Sequence, residues 1–270
     1  MTRPVRVLLL GRKRVAANVM RSLRRDARFD LRGIVTDSHL AGSPALAAAE
    51  LEGVQVLEHQ EVESLAERGK MPVDLVLSVL YWRRLKGAML FPEARLGVIN
   101  FHPAPLPEYK GCGGYNFAIL DGLSEWATTA HYVDETIDTG AIIDVRRFPI
   151  CPRTSTAQSL ERESLQVLEA QITDVLDRVV SHSSLLPTQP NSGGRYISRQ
   201  QMELAKQIVA GDDVERKARA FFFPPYEGAW VMVNGVRCTV LTQSLMASLA
   251  EAGTTHLFTA SQPPSSGVAS

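Results

Sequence analysis

Asn100 and His102 stand two residues apart at the C-terminal end of the apolar run over 97–101. In a strand, residues i and i+2 share a face, so a carboxamide and an imidazole would project together. That pair suits a reaction in which an oxyanion forms and a proton moves. An Asn amide donates to developing negative charge without changing its own charge, and a His takes or gives a proton near neutral pH. A third group should hold the imidazole, and Asp138, in Thr136-Ile137-Asp138-Thr139-Gly140, is the candidate from across a cleft. Taken singly, each piece has a plain structural explanation: loop hydrogen bonding for Asn-x-His, a common turn for Asp-Thr-Gly. Aspartic proteases carry an Asp-Thr-Gly too, but as a pair on a strand-rich chain, and this sequence has neither property.

The elements that would position these residues follow from the apolar pattern. Short apolar runs at 7–10, 31–36, 54–57, 73–80 and 97–101 read as strands, with helices expected near 15–24, 44–52, 61–68 and 85–90. Strands alternating with helices at this spacing point to an α/β fold, a Rossmann-like doubly wound, mostly parallel sheet. Ligands of such sheets bind at the carboxyl ends of strands, where Asn100 and His102 would sit. Pro103, Pro105, Pro107, Gly111 and Gly113 then predict an ordered loop, followed by a helix at 115–120, strands at 128–133 and 141–148, and a long amphipathic helix over 156–180. The turn Leu10-Gly11-Arg12 lacks the GxGxxG of a dinucleotide site and reads as a tight strand-to-helix turn.

The pattern divides the chain into a catalytic domain at 1–180, a Ser/Pro/Gly-rich linker at 181–194, a small α+β domain at 195–246 and a disordered tail at 247–270. Helices are expected at 202–209 and 213–220, and a hairpin around Asn234-Gly235. Lys+Arg and Asp+Glu are 29 each among 270 residues, which gives nucleic-acid binding no support. Cys112, Cys151 and Cys238 are scattered, and the six histidines show no ligand spacing, so no metal is expected. The apolar run at 7–10 is too short for a signal segment, and no stretch approaches a membrane span. A soluble cytoplasmic protein is the expectation.

Asn100-Phe-His102-Pro103, the following Leu106-Pro107 and Tyr109-Lys110-Gly111, and the distant Asp138-Thr139-Gly140 together resemble the 10-formyltetrahydrofolate-dependent formyltransferases. The resemblance covers roughly residues 7–180. It implies an Asn-His-Asp catalytic triad at Asn100, His102 and Asp138, a cis bond at Leu106–Pro107, and 10-formyltetrahydrofolate as one-carbon donor. By the same analogy the segment containing Tyr81, Trp82 and Arg83, and the residues around Asp134 and Ile137, would hold the pterin. The implied reaction is attack of a neutral amine on the formyl carbon.

Within that family, Gly114-Tyr115-Asn116, the short C-terminal module and the zero net charge resemble the sugar-nucleotide N-formyltransferases more than those acting on methionyl-tRNA. The implied substrate is a nucleotide-linked amino sugar, with Lys110, Tyr115, Asn116, Tyr226 and Arg195 as candidate contacts and a homodimer as an open option. Of Phe221, Phe222 and Phe223, at least two should pack in the core of the small domain. The alternatives are another amine, whether a small natural-product precursor or methionyl-tRNA, and a folate-binding homologue without activity. A formate-releasing hydrolase is a further reading, disfavoured because no regulatory domain accompanies it.

Overall fold

Val7, Leu8, Leu9 and Leu10 are four apolar side chains in succession, a run that a strand can bury when both its faces are covered. In the computed structural model, which describes residues 3–251, they form the centre of β1 (Val5–Gly11) and all four are fully buried. Val7 and Leu9 face one core with α1 (Lys13–Arg25), while Leu8 and Leu10 face the other with α3 (His59–Glu67). The remaining members of the sheet are β2 (Phe29–Val35), β3 (Leu75–Val79), β4 (Val98–His102), β6 (Glu125–Tyr132) and β7 (Ile142–Pro149). A short β5 (Tyr109–Gly111) lies apart from it.

The six strands run in the order β2-β1-β3-β4-β6-β7. β1 to β4 are mutually parallel, and β6 and β7 are antiparallel additions. This is the expected α/β architecture, with the order reversing between β1 and β3. Helix α2 (Pro44–Leu51) is capped by the Ser43 hydroxyl, and α5 (Ala157–His182) starts with a Thr156–Ser159 capping box. The apolar stripe of α5, including Leu168, Ile172, Val175 and Val179, closes the core beside α1.

Two expectations change in detail. Residues 54–57 make a single parallel bridge, Ile34 to Val56, because α3 begins at His59 and leaves no length for a ladder. The helix expected at 85–90 is a 3-10 turn at Gly87–Leu90.

The second module contains β8 (Arg195–Ile197), α6 (Arg199–Ala205), α7 (Val214–Ala220), the hairpin β9 (Trp230–Val233) and β10 (Val236–Thr239), and α8 (Gln243–Glu251). Asn234 and Gly235 both take positive φ at the hairpin turn, as their sequence predicts. Phe221 and Phe222 are buried, and Phe221 packs with Ile119 of α4 (Gly114–Leu120), Ala157 and Ala229. Helix α8 corrects the expected start of the tail at 247. Its Leu245 is buried against Ala218 and Phe222, and the Ala- and Leu-containing run continues as helix to Glu251. The rest of that segment, 252–270, falls outside the described residues.

Candidate active site

The parallel pairing Ser78–Asn100 and the antiparallel pairing Asn100–His131 place three polar side chains in one row at the carboxyl end of β4. Ser78 Oγ donates to Asn100 Oδ1 at 2.7 Å, and Asn100 Nδ2 lies 3.0 Å from His131 Nε2. His131 Nδ1 lies 2.6 Å from the Tyr132 carbonyl oxygen, so the proton resides on Nδ1 and Nε2 is free to accept. The Asn100 amide is therefore oriented from both sides. One Nδ2 hydrogen goes to His131, and the second remains for a ligand.

His102 follows on the same face. Its Nε2 lies 2.8 Å from the Tyr109 carbonyl oxygen, an acceptor, so Nε2 carries a proton. Its Nδ1 faces Asp138 Oδ2 at 3.7 Å, while Asp138 Oδ1 is 3.7 Å from His131 Nε2. Burial alone would raise the Asp138 carboxyl, but the facing His102 imidazole and the Gly111 N–H, which donates at 2.9 Å, hold it well below the ordinary carboxylate range. Asp138 is thus ionised across the physiological range, and a fixed negative charge stands beside His102 Nδ1.

The loop between His102 and β5 is held from β6. Thr129 Oγ1 donates to the Ala104 carbonyl at 2.8 Å and accepts from Leu106 N–H at 3.1 Å, and Trp126 Nε1 donates to the Pro103 carbonyl at 3.0 Å. The Leu106–Pro107 bond is cis. The Asp138 loop is folded on itself, since Asp134 Oδ1 accepts from Thr136 N–H at 3.0 Å and from Thr139 Oγ1 at 2.7 Å. Among the described residues no group of His, Cys, Asp and Glu is arranged to hold a metal ion.

The formyl transferase family profile matches residues 5–176. The chain belongs to that family. The methionyl-tRNA formyltransferase of Roseiflexus sp. (strain RS-1) is 27% identical over 259 residues, covering 90% of this chain and 78% of the relative. That of Geobacter sulfurreducens is 27% identical over 199 residues, which are 73% of this chain but 62% of the relative, less than two thirds of its length. Among solved structures, the N-formyltransferase of Helicobacter canadensis, in complex with folinic acid and dTDP-3-aminofucose, matches with a TM-score of 0.70 at 23% identity, covering 86% of each chain. A 4-N formyltransferase from Francisella tularensis matches with a TM-score of 0.70 at 16% identity, over 89% of this chain and 98% of that one. At these identities the likeness is one of fold.

In this formyl transferase chain the expected residues fall into separate groups. Asn100, His102 and Asp138 converge. Ile137 lines a pocket of about 400 Å³ with Arg84, Lys110, Thr136, Thr139, Gly193, Gly194 and Tyr196. Tyr81, Trp82 and Arg83 line a different one with Val35, Thr36, His39 and His59, where the Tyr81 hydroxyl is 2.8 Å from His59 Nδ1. Arg84 donates to the Glu135 carbonyl, joining the segment after β3 to the Asp138 loop. Asp134 spends its carboxylate on its own loop.

Of the residues expected to meet the amine substrate, Asn116 donates to the Ala220 carbonyl at 2.7 Å and Arg195 pairs with Asp121 over the Tyr109 ring. Tyr115 has its hydroxyl buried without a partner, beside Trp126. Tyr226 is 70% exposed and packs on Phe223. The sequence reading missed Ser78 and His131. Their signal was the strand register, because each is the direct cross-strand neighbour of Asn100.

Proposed function

We propose that this chain transfers a formyl group from 10-formyltetrahydrofolate to the primary amine of a nucleotide-linked amino sugar. The chemical half rests on the convergence of Asn100, His102 and an ionised Asp138 at the carboxyl end of β4. The co-substrate supplies an electrophilic formyl carbon whose oxygen gains negative charge when an amine adds. Asn100, with its amide fixed by Ser78 and His131, donates its second hydrogen to that oxygen. His102 projects from the same face two residues on, beside the ionised Asp138, and is the group positioned to carry a proton during the transfer. The proton that must pass from the amine to the departing nitrogen travels through His102 or a water held by Asp138.

The pocket beside Asp138 supports the folate reading. Ile137 and Tyr196 offer apolar wall to its rings, and Arg84 and Lys110 offer positive charge to its carboxylates, with no carboxylate among the lining residues. For the amine, support comes from the like-for-like span of the Helicobacter canadensis and Francisella tularensis folds, and from a net charge of zero, unsuited to a polyanion. The Phe223–Tyr226 pair has the aromatic character on which a base can stack. Methionyl-tRNA is the second reading, favoured by the named relatives at 27% identity.

A side-by-side formylation assay with a panel of nucleotide-linked amino sugars and initiator methionyl-tRNA tests both readings. The expected result is turnover of an amino sugar nucleotide and little of the tRNA. The reverse ranking overturns the substrate. Failure of every amine, together with no binding of 5-formyltetrahydrofolate by calorimetry, overturns the chemistry.

A further inference from the structure

Asn191 touches the active-site loop from outside the catalytic fold. Its Nδ2 donates to the Asp138 carbonyl at 3.0 Å and to the Gly140 carbonyl at 2.8 Å, while its own Oδ1 is buried without a partner. A flipped amide would set Oδ1 against two carbonyl oxygens, so the observed orientation is the one the chemistry permits. Both hydrogens of one carboxamide thus converge on the carbonyls of the two residues on either side of Thr139.

The segment carrying Asn191 is itself anchored. Gln189 exchanges hydrogen bonds with Ile142 at 2.8 and 3.0 Å, Lys110 Nζ donates to the Gly193 carbonyl at 2.9 Å, and β8 pairs with β5. The loop it grips has little freedom of its own. Asp138 takes φ of +56°, a left-handed backbone that non-glycine residues rarely adopt. At Gly140 any Cβ would come within 1.8 Å of the Tyr132 carbonyl oxygen.

From this geometry we infer that Asn191 is a positioning residue, which holds the Asp138 backbone so that its carboxylate meets Gly111 N–H and faces His102. The role in turnover rests on the formyl-transfer reading above; the role in placing Asp138 does not. Asn191 touches no reacting atom and acts through Asp138.

The test combines two readouts on Asn191→Ala and on Asn191→Asp, which keeps the size but removes the donor. The first is amide hydrogen exchange at Gly111, whose N–H donates to Asp138 Oδ2, with Cys112, whose N–H donates to the Ile197 carbonyl at 2.9 Å, as internal control. Both variants should lose at least about tenfold in protection at Gly111 and keep it at Cys112. The second is kcat for the amine that wild type formylates. It should fall roughly tenfold with KM within about twofold, and Asn191→Ala should cost little further in an Asp138→Asn background.

Unchanged Gly111 protection in both variants overturns the inference, and so does equal loss at Gly111 and Cys112, which would mean general loosening. A full, additive loss of kcat in the Asp138→Asn background overturns it as well. Should wild type formylate no amine while Gly111 alone loses protection, the functional reading fails and the positioning role stands.

Discussion

Asn100 Nδ2 and His131 Nε2 are 3.0 Å apart across a directly paired register of antiparallel strands β4 and β6. Because His131 Nδ1 is committed to the Tyr132 carbonyl, His131 can only accept at Nε2 in its neutral form, and this fixes which end of the Asn100 amide faces it. His131→Ala should leave the amide held by Ser78 alone. Loss of one neutral hydrogen bond, worth about 1 kcal/mol, corresponds to a decrease in kcat of roughly fivefold. Steady-state kinetics should show this smaller loss beside the much larger one of Asn100→Ala, and equal losses would make His131 a participant rather than a support.

Acid should reveal Asp138. Its carboxyl titrates at about 2 in the folded chain against an ordinary 3.8, so the ionised form is favoured by folding. A depressed folded value contributes stability that is fully present above about pH 4 and is lost as pH falls towards 2. The size is about 2 kcal/mol. Urea unfolding of wild type and Asp138→Asn should show a gap that is widest above pH 4 and narrows steadily below it. A gap independent of pH would mean that Asp138 is not held ionised by its surroundings.

Much of this site was legible before the fold was known. Asn-x-His at a strand end gave two members, since strand alternation is a local property of the chain. Asp138 came from a turn motif, and the loop that carries it does close over His102. Ser78 and His131 were not legible, because they meet Asn100 through pairing partners that lie 22 and 31 residues away. The same limit applies to Arg195 and Asn116. Their types suited a substrate, but Asp121 and the Ala220 carbonyl already engage them. The Ser/Pro/Gly composition of 181–194 likewise reads as a linker, and the hydrogen bonds of Gln189 and Asn191 are invisible without the fold.

Gly194 tests how tightly that segment is docked. It takes φ of +71°, and a Cβ there would come within 1.6 Å of the Pro107 carbonyl oxygen, a backbone atom that cannot move aside alone. Gly193 takes φ of +80° with nothing within 4 Å of an added Cβ. Gly193→Ala should therefore cost only the left-handed backbone, about 1 kcal/mol, whereas Gly194→Ala should cost roughly 3 kcal/mol or more. Thermal melts should separate the two by several degrees, and equal Tm values would contradict the close approach.

The proposed catalytic roles of Asn100 and His102 carry the strongest expectation. On that proposal Asn100→Ala removes the donor to the oxygen of the formyl carbon and should lower kcat by roughly 10²–10³. His102→Ala removes the imidazole that faces an ionised Asp138, so its loss should be at least about as large. On the proposed mechanism the two groups act on one transition state from same-face positions two residues apart on β4, so their contributions should not be independent. The double variant Asn100→Ala/His102→Ala should lose far less than the product of the single effects. Binding of 5-formyltetrahydrofolate should change little in any of the three, because the pocket lined by Arg84, Lys110 and Ile137 contains neither Asn100 nor His102. Calorimetry on the same preparations separates the two properties. If His102→Ala keeps more than about a tenth of wild-type kcat when chemistry limits the rate, His102 does not have the role assigned to it.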